Sequence, residues 1–219
     1  MTVLSPKKRI LFVGASAGLY GADKALLSMV TNLDAAICET FVILPEHGLL
    51  EEELKARGIP YRIMPFAILR RGNMNILGIG AYLMELVQSI RKFIQVIKRK
   101  NIDIVHSNTS VIWPSAIAAR IMRKIHVWHV REMFTFKSKL VQKLFSRFIL
   151  TFSDRIIAVS NAVAAQFNGS KKVSVIYDGI DTEYFSTYQS REQKHQDEFT
   201  IGAVGRISNA KNHELLVKS

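Results

Sequence analysis

The sequence predicts an α/β fold, a doubly wound parallel sheet with helices on both faces. Three observations carry this. Short apolar runs alternate with helically periodic segments along most of the 219 residues. The apolar runs are continuous, as strands buried on both faces require. Turn residues, Gly14, Gly58 and the Asp178-Gly179 pair among them, punctuate the junctions.

The elements follow in order. "KRILFVG" (8–14) reads as a buried strand breaking at Gly14; the loop "ASAGLYGAD" leads into a helix whose Ala25, Leu26, Met29, Val30 and Leu33 recur with helical spacing. "TFVILP" (40–45) is a second strand, followed by a helix through "EEELKARG" with Gly58 at its C-cap, and "YRIMPF" (61–66) is a third strand. In 81–100, Leu83, Leu86, Val87, Ile90, Phe93, Ile94 and Ile97 form one apolar stripe, and the helix ends in "KRKN". "IDIVHSN" (102–108) and "KIHVWHV" are strands around a helix that opens near Pro114. A helix covers 138–152, "RIIAVS" (155–160) is a strand whose Ser160 caps the next helix, and "KVSVIYDGID" (172–181) is a strand closed by the Asp-Gly turn. Residues 1–185 therefore form one Rossmann-like domain. The polar, aperiodic 186–198 reads as a linker, and 199–219 repeats the strand, glycine, loop and helix opening of 8–33, as the first strand and partial helix of a truncated second domain.

Composition narrows the function. One cysteine, Cys38, excludes an internal disulfide and favours a reducing, cytoplasmic setting. No secretory signal precedes the first basic residues, and no uncharged apolar run reaches the ~18 residues of a membrane span. The net charge of +12 is concentrated: residues 86–152 hold thirteen Lys/Arg against Asp103 and Glu132. Such a block attracts an anionic partner, or else lines solvated helix faces. Nucleic acid is disfavoured, because no helix-turn-helix, RRM or zinc-finger pattern is present and the aromatics follow core spacing. No Cys/His set has zinc spacing, and no metal is expected.

Polar residues collect at the carboxyl ends of the strands, where ligands of such sheets bind. Alternation places His129 and Arg131 on one side, to address one substrate, or else Arg131 pairs with Glu132 in a structural ion pair. Asn108 or Thr109, at another strand end, faces ligand or caps the next helix. Gly21 and the glycines before it match neither the dinucleotide fingerprint nor the P-loop, yet allow backbone N–H groups to approach an anion at a helix start. Arg206 and Lys211, beyond the run 199–204, suit a diphosphate or a solvated loop. In 138–152, Leu140, Val141, Leu144, Phe145, Phe148, Ile149 and Phe152 occupy one arc and Lys139, Lys143 and Arg147 the other. That pattern fits a helix lying on anionic lipid, or an apolar arc packed on the sheet.

Taken in order, "YGADKALLSMVTNL", "DIVHSNTSVIWPSAIAAR", "HVWHVREM", "SDRIIAVSNAV", "KVSVIYDGIDTEYF" and "GAVGRISNAKNHELL" resemble the family 4 glycosyltransferases of the GT-B fold, in particular bacterial enzymes of surface-polysaccharide synthesis. The resemblance implies sugar transfer from a nucleotide diphosphate sugar, with retention at the anomeric carbon and without a metal or other cofactor. It assigns Arg206, Lys211 and Gly21 to the donor diphosphate and His129 to the donor sugar as the catalytic histidine. Tyr20, Asn108, Arg131 and Glu132 fall on the acceptor side. A lipid-linked saccharide acceptor would place Lys139, Lys143 and Arg147 at the inner face of the plasma membrane. Tyr20 stands where the family has a glycine, Asp178 where it has Asn, and Asn212 where it has Gly. The family's E-x7-E donor segment belongs to a C-terminal domain missing from this sequence, so residues 1–219 are not expected to catalyse transfer alone. The competing expectation is a non-catalytic nucleotide-sugar or carbohydrate-binding module with a Rossmann-like core.

Overall fold

A computed structural model describes residues 6–69, 76–136, 138–180, 182–186, 202–205 and 212–218. The chain divides into two compact units, Met1–Gly179 and Ile180–Ser219.

In the first unit seven strands form one sheet: β1 (Lys8–Val13), β2 (Cys38–Leu44), β3 (Tyr61–Ile63), β4 (Ile104–Ser107), β5 (Ile125–Val130), β6 (Arg155–Ala158) and β7 (Val173–Val175). Their order is β3-β2-β1-β4-β5-β6-β7, and all neighbours run parallel. The helices between them are α1 (Gly21–Asn32), α2 (Leu49–Ala56), α3 (Ile76–Arg99), α4 (Trp113–Ile121), α5 (Lys139–Phe152) and α6 (Asn161–Ala165). The chain moves outward from β1 to β3, then crosses back to β4 through α3. Right-handed crossovers therefore put α1 and α2 on one face and α3 to α5 on the other. The direction of winding reverses between β1 and β4, and at such a switch point ligands of open α/β sheets bind beyond the carboxyl ends of the strands.

Side-chain alternation splits the core accordingly. Phe12, Val42 and Leu44 pack with Leu26 and Val30 of α1 and Leu50 and Leu54 of α2. Leu11, Val13, Ile43 and Val105 pack instead with Phe93, Val96 and Ile97 of α3 and Ala118 and Ala119 of α4. Small residues on α4 let it lie close to the strands. Trp128, Val130, Ile156 and Ala158 meet Phe145 and Ile149 of α5, and Trp128 is fully buried with its indole N–H donated to the carbonyl of Thr109 at 2.6 Å.

Two glycines serve the turns. Gly58, at φ +65°, closes α2 where a side chain would be strained. Gly48 is extended, but a Cβ there would stand 2.4 Å from the carbonyl oxygen of Ala17, which accepts the amide of Leu50 at 2.9 Å. This close approach fixes the loop after β1 against the start of α2.

The long helix opens at Ile76, earlier than the stripe from 81 indicates, and the third and seventh strands are three residues each, shorter than the runs 61–66 and 172–181. In the second unit Thr182–Ser186 and His213–Lys218 are short helices, α7 and α8, and residues 202–204 take no regular structure. The linker from 187 onward and the start of the expected strand at 199 lie outside the described residues, as do Arg206 and Lys211.

Candidate active site

The carboxyl ends of β1, β4 and β5 converge on one cluster. After β1 the chain turns through Ser16 and enters α1 at Gly21, with Tyr20 as its N-cap. The carboxylate of Asp23, almost fully buried, accepts the Ser16 hydroxyl at 2.8 and 3.0 Å and the Tyr20 amide at 3.1 Å. An acidic third residue reaching back to the N-cap amide satisfies donors that a helix start otherwise leaves open. Gly21 is exposed and a Cβ would meet nothing within 4 Å, so no packing demands a glycine there. Tyr20 is more than half exposed.

After β4, buried Asn108 donates from Nδ2 to the carbonyl of Ala22 in α1 at 2.8 Å. It caps no helix: Ile112 stands at the N-cap of α4. Its Oδ1 accepts from Nε of Arg131 at 3.2 Å. Arg131 follows β5 and its side chain is only 9% exposed, with Nη1 lying 2.6 and 2.5 Å from the two carboxylate oxygens of Asp178. The Arg131–Glu132 ion pair is therefore not formed. Glu132 accepts the backbone amides of Ser110 at 3.3 Å and Arg131 at 3.2 Å, while Gln166 clamps the following strap by donating to the Glu132 carbonyl and accepting the Phe134 amide.

His129 stands two residues before Arg131 on the same side of β5, and Nη2 of Arg131 lies 3.4 Å from its Nδ1. The imidazole is buried, and its Nε2 has no hydrogen-bond partner among the described residues. Burial first, then the Arg131 guanidinium, pull its pKa down to about 4, with Asp178 opposing. The site thus holds a neutral imidazole beside a guanidinium neutralised by Asp178.

Register adds a residue that sequence reasoning missed. His106 of β4 pairs with Val127, which puts it on the face of His129, and the two rings meet edge to face with centroids 5.5 Å apart. Phe12 covers the other side of His106 at 4.9 Å. Nε2 of His106 is also buried without a partner, and its pKa is lowered well below the ordinary value, chiefly by burial. Buried unsatisfied polar atoms call for an explanation, and three of the five among the described residues, His106 Nε2, His129 Nε2 and Thr109 Oγ1, lie in or just beyond β4 and β5 at this edge. His126, on the opposite face, is by contrast fully used. It donates from Nδ1 to the Phe152 carbonyl at 2.8 Å and accepts at Nε2 from Ser107 at 2.9 Å, and Ser107 in turn accepts from Ser115 at 2.7 Å.

Lys139, Lys143 and Arg147 lie on the exposed side of α5, whose N-cap Ser138 accepts the Val141 amide. The apolar arc of this helix is divided: Phe145 and Ile149 are buried on the sheet and Phe148 stacks on Trp113 at 4.1 Å, whereas Leu140 and Leu144 remain 66% and 57% exposed. Among the described residues no three His, Cys, Asp or Glu gather into a metal-binding group, and no helix is long and apolar enough to cross a membrane.

A family model described as Glycosyltransferase Family 4 matches residues 20–184. The chain belongs to this family. The match takes in β2 to β7, α1 to α6 and all the site residues from Tyr20 to Asp178. Among solved structures, HepE of Anabaena, crystallised with UDP, is similar at a TM-score of 0.61 and 22% identity over 81% of this chain and 46% of its own. A glycosyltransferase of Rickettsia africae is similar at a TM-score of 0.63 and 19% identity, over 85% of this chain and 47% of its own. The lipopolysaccharide outer core galactosyltransferase WaaB matches at 0.54 and 18% identity, over 78% and 46%. At such identities these structures establish a shared Rossmann-like fold with one half of a GT-B enzyme, and this family 4 chain spans about half their length. A search of curated proteins returned no match.

Proposed function

We propose that this family 4 chain is the acceptor-side half of a retaining, metal-independent glycosyltransferase, which moves a sugar from a nucleotide diphosphate sugar to a lipid-linked saccharide in surface-polysaccharide synthesis. The observation that carries the reading is the neutral, buried His129, its Nε2 unsatisfied, at the carboxyl edge of a sheet of this family. A sugar is dense in hydroxyl oxygens, which satisfy such a group without introducing charge. HepE has also been solved with UDP-glucose, a donor of the proposed class.

The roles divide by position. His129 contacts the transferring sugar. Asn108, Arg131, Glu132 and Tyr20 border the acceptor, and Gly21 approaches the donor diphosphate from α1. Arg206 and Lys211 hold that diphosphate and with it offset the charge that grows on the leaving group, as preorganised cations do in place of a metal. A donor-binding C-terminal domain completes the site, with residues 1–185 as the acceptor domain, 186–198 as linker and 199–219 as the start of the second domain; residues 1–219 alone are inactive in this reading. Exposed Leu140 and Leu144 beside Lys139, Lys143 and Arg147 support a seat on anionic lipid at the cytoplasmic face of the plasma membrane, where a lipid-linked acceptor resides.

The test is transfer of labelled glucose from UDP-glucose into lipid-extractable product, by residues 1–219 alone and by the same residues followed by the C-terminal half of HepE. Transfer by the joined chain only, falling about 100-fold in His129→Ala, is the expected result. Binding of UDP-glucose without transfer to any lipid or soluble acceptor would favour the non-catalytic carbohydrate-binding module instead.

A further inference from the structure

We propose that Arg131 is a positioning residue that fixes the tautomer of His129, so that the imidazole faces its ligand as an Nε2–H donor. The geometry leaves little freedom. A guanidinium has five N–H donors and no acceptor, so Nη2 at 3.4 Å from Nδ1 requires Nδ1 to present its lone pair. In a neutral imidazole the single proton then resides on Nε2. Arg131 cannot drift from this duty, because Nε is held by Asn108 and Nη1 by Asp178.

The charged and titratable groups around the ring agree with this assignment. Arg131 disfavours a second proton on His129, Asp178 is engaged by Arg131, and the edge of His106 supplies no charge, since that ring is itself neutral through burial. Nε2–H is therefore a buried donor with no acceptor among the described residues, and the chemistry it lacks is an uncharged or anionic oxygen. It binds such an oxygen; with its proton already in place, it does not abstract one. Only the identity of that oxygen, a sugar hydroxyl, rests on the transferase reading.

The tautomer can be read on residues 1–219 without any ligand, by long-range 1H–15N correlation of the imidazole rings at pH 7. His126 supplies the contrast within the same spectrum, since its donation to Phe152 makes it the Nδ1–H form. The expected result is a single Nε2–H form for His129, which in Arg131→Met gives way to a mixture while His126 is unchanged. A Nδ1–H form of His129 in the wild-type chain, or an Arg131→Met spectrum with the His129 nitrogens unmoved, would overturn the proposal. Should Arg131→Met not fold, Asp178→Asn retains the arginine and its Nη2 donor, and a wild-type-like Nε2–H signal there is required. The measurement involves neither donor nor acceptor, so its failure leaves the transferase reading standing, and failure of sugar transfer leaves the tautomer assignment standing.

Discussion

Acid should unfold this protein through its buried histidines, and His126 allows the size of the effect to be worked out. Its imidazole is held neutral in the fold, with the pKa taken from 6.5 to about 4 by burial, partly offset by the Phe152 carbonyl and Asp154. The unfolded chain takes up a proton on residue 126 near pH 6.5, and the folded chain does so only near 4. Stability is therefore complete above about pH 6.5, falls as the pH drops toward 4, and levels out below. At about 1.36 kcal/mol per pH unit, the 2.5 units between those values amount to about 3 kcal/mol from this one group. His106 and His129 act in the same direction, so the wild-type slope is steeper still. The assay is urea unfolding followed at pH 7, 6, 5 and 4.5, comparing wild type with His126→Gln. The variant loses a fixed amount at every pH from the broken Ser107–His126–Phe152 chain, but its stability declines less steeply, and the two curves approach each other on acidification. Curves that stay parallel to within about 0.5 kcal/mol would show that His126 titrates alike in both states and would refute the reasoning.

Three further outcomes are expected. Asp23→Ala removes the carboxylate that accepts the Ser16 hydroxyl and the Tyr20 amide and should cost about 2 kcal/mol, read as a lowered urea midpoint at constant m. Gly48→Ala places a methyl against the Ala17 carbonyl, and backbone must give way; a loss of about 1–3 kcal/mol is expected, measured by thermal unfolding. Changing Lys139, Lys143 and Arg147 together to Ser should weaken flotation with anionic vesicles about 100-fold at low salt, at about 1 kcal/mol per cation, with no effect on neutral vesicles. Equal flotation of variant and wild type would make this side of α5 a solvated face.

The strands were readable wherever burial on both faces produced unbroken apolar runs, as in "ILFV" and "FVIL", and the helices wherever one face repeated at 3.6 residues. The sheet order was not, because β1 lies beside β4 through contacts between residues more than ninety positions apart. Part of the site was legible by simple alternation, which set His129 and Arg131 on one side. His106 escaped because it sits inside an apolar run and reads as core; only its register beside Phe12 and Val127 shows where the ring goes. Asp178 as the partner of Arg131 was equally hidden, since a turn aspartate explains itself locally and the pair spans 47 residues. On α5 the helical wheel gave the arc, but which half of it the sheet covers depends on where the helix crosses β5 and β6.

The bond from Asn108 to the carbonyl of Ala22 joins positions 86 apart, across the point where the sheet reverses its winding. Through Arg131 the same asparagine is tied to Asp178, so side-chain bonds link the first turn of α1, the end of β4, the strap after β5 and the turn after β7, and these segments are expected to open as one cooperative unit. Exchange of their amides should follow a common free energy instead of decaying independently with distance from the core, and a substitution at any one of the four would be felt at the other three.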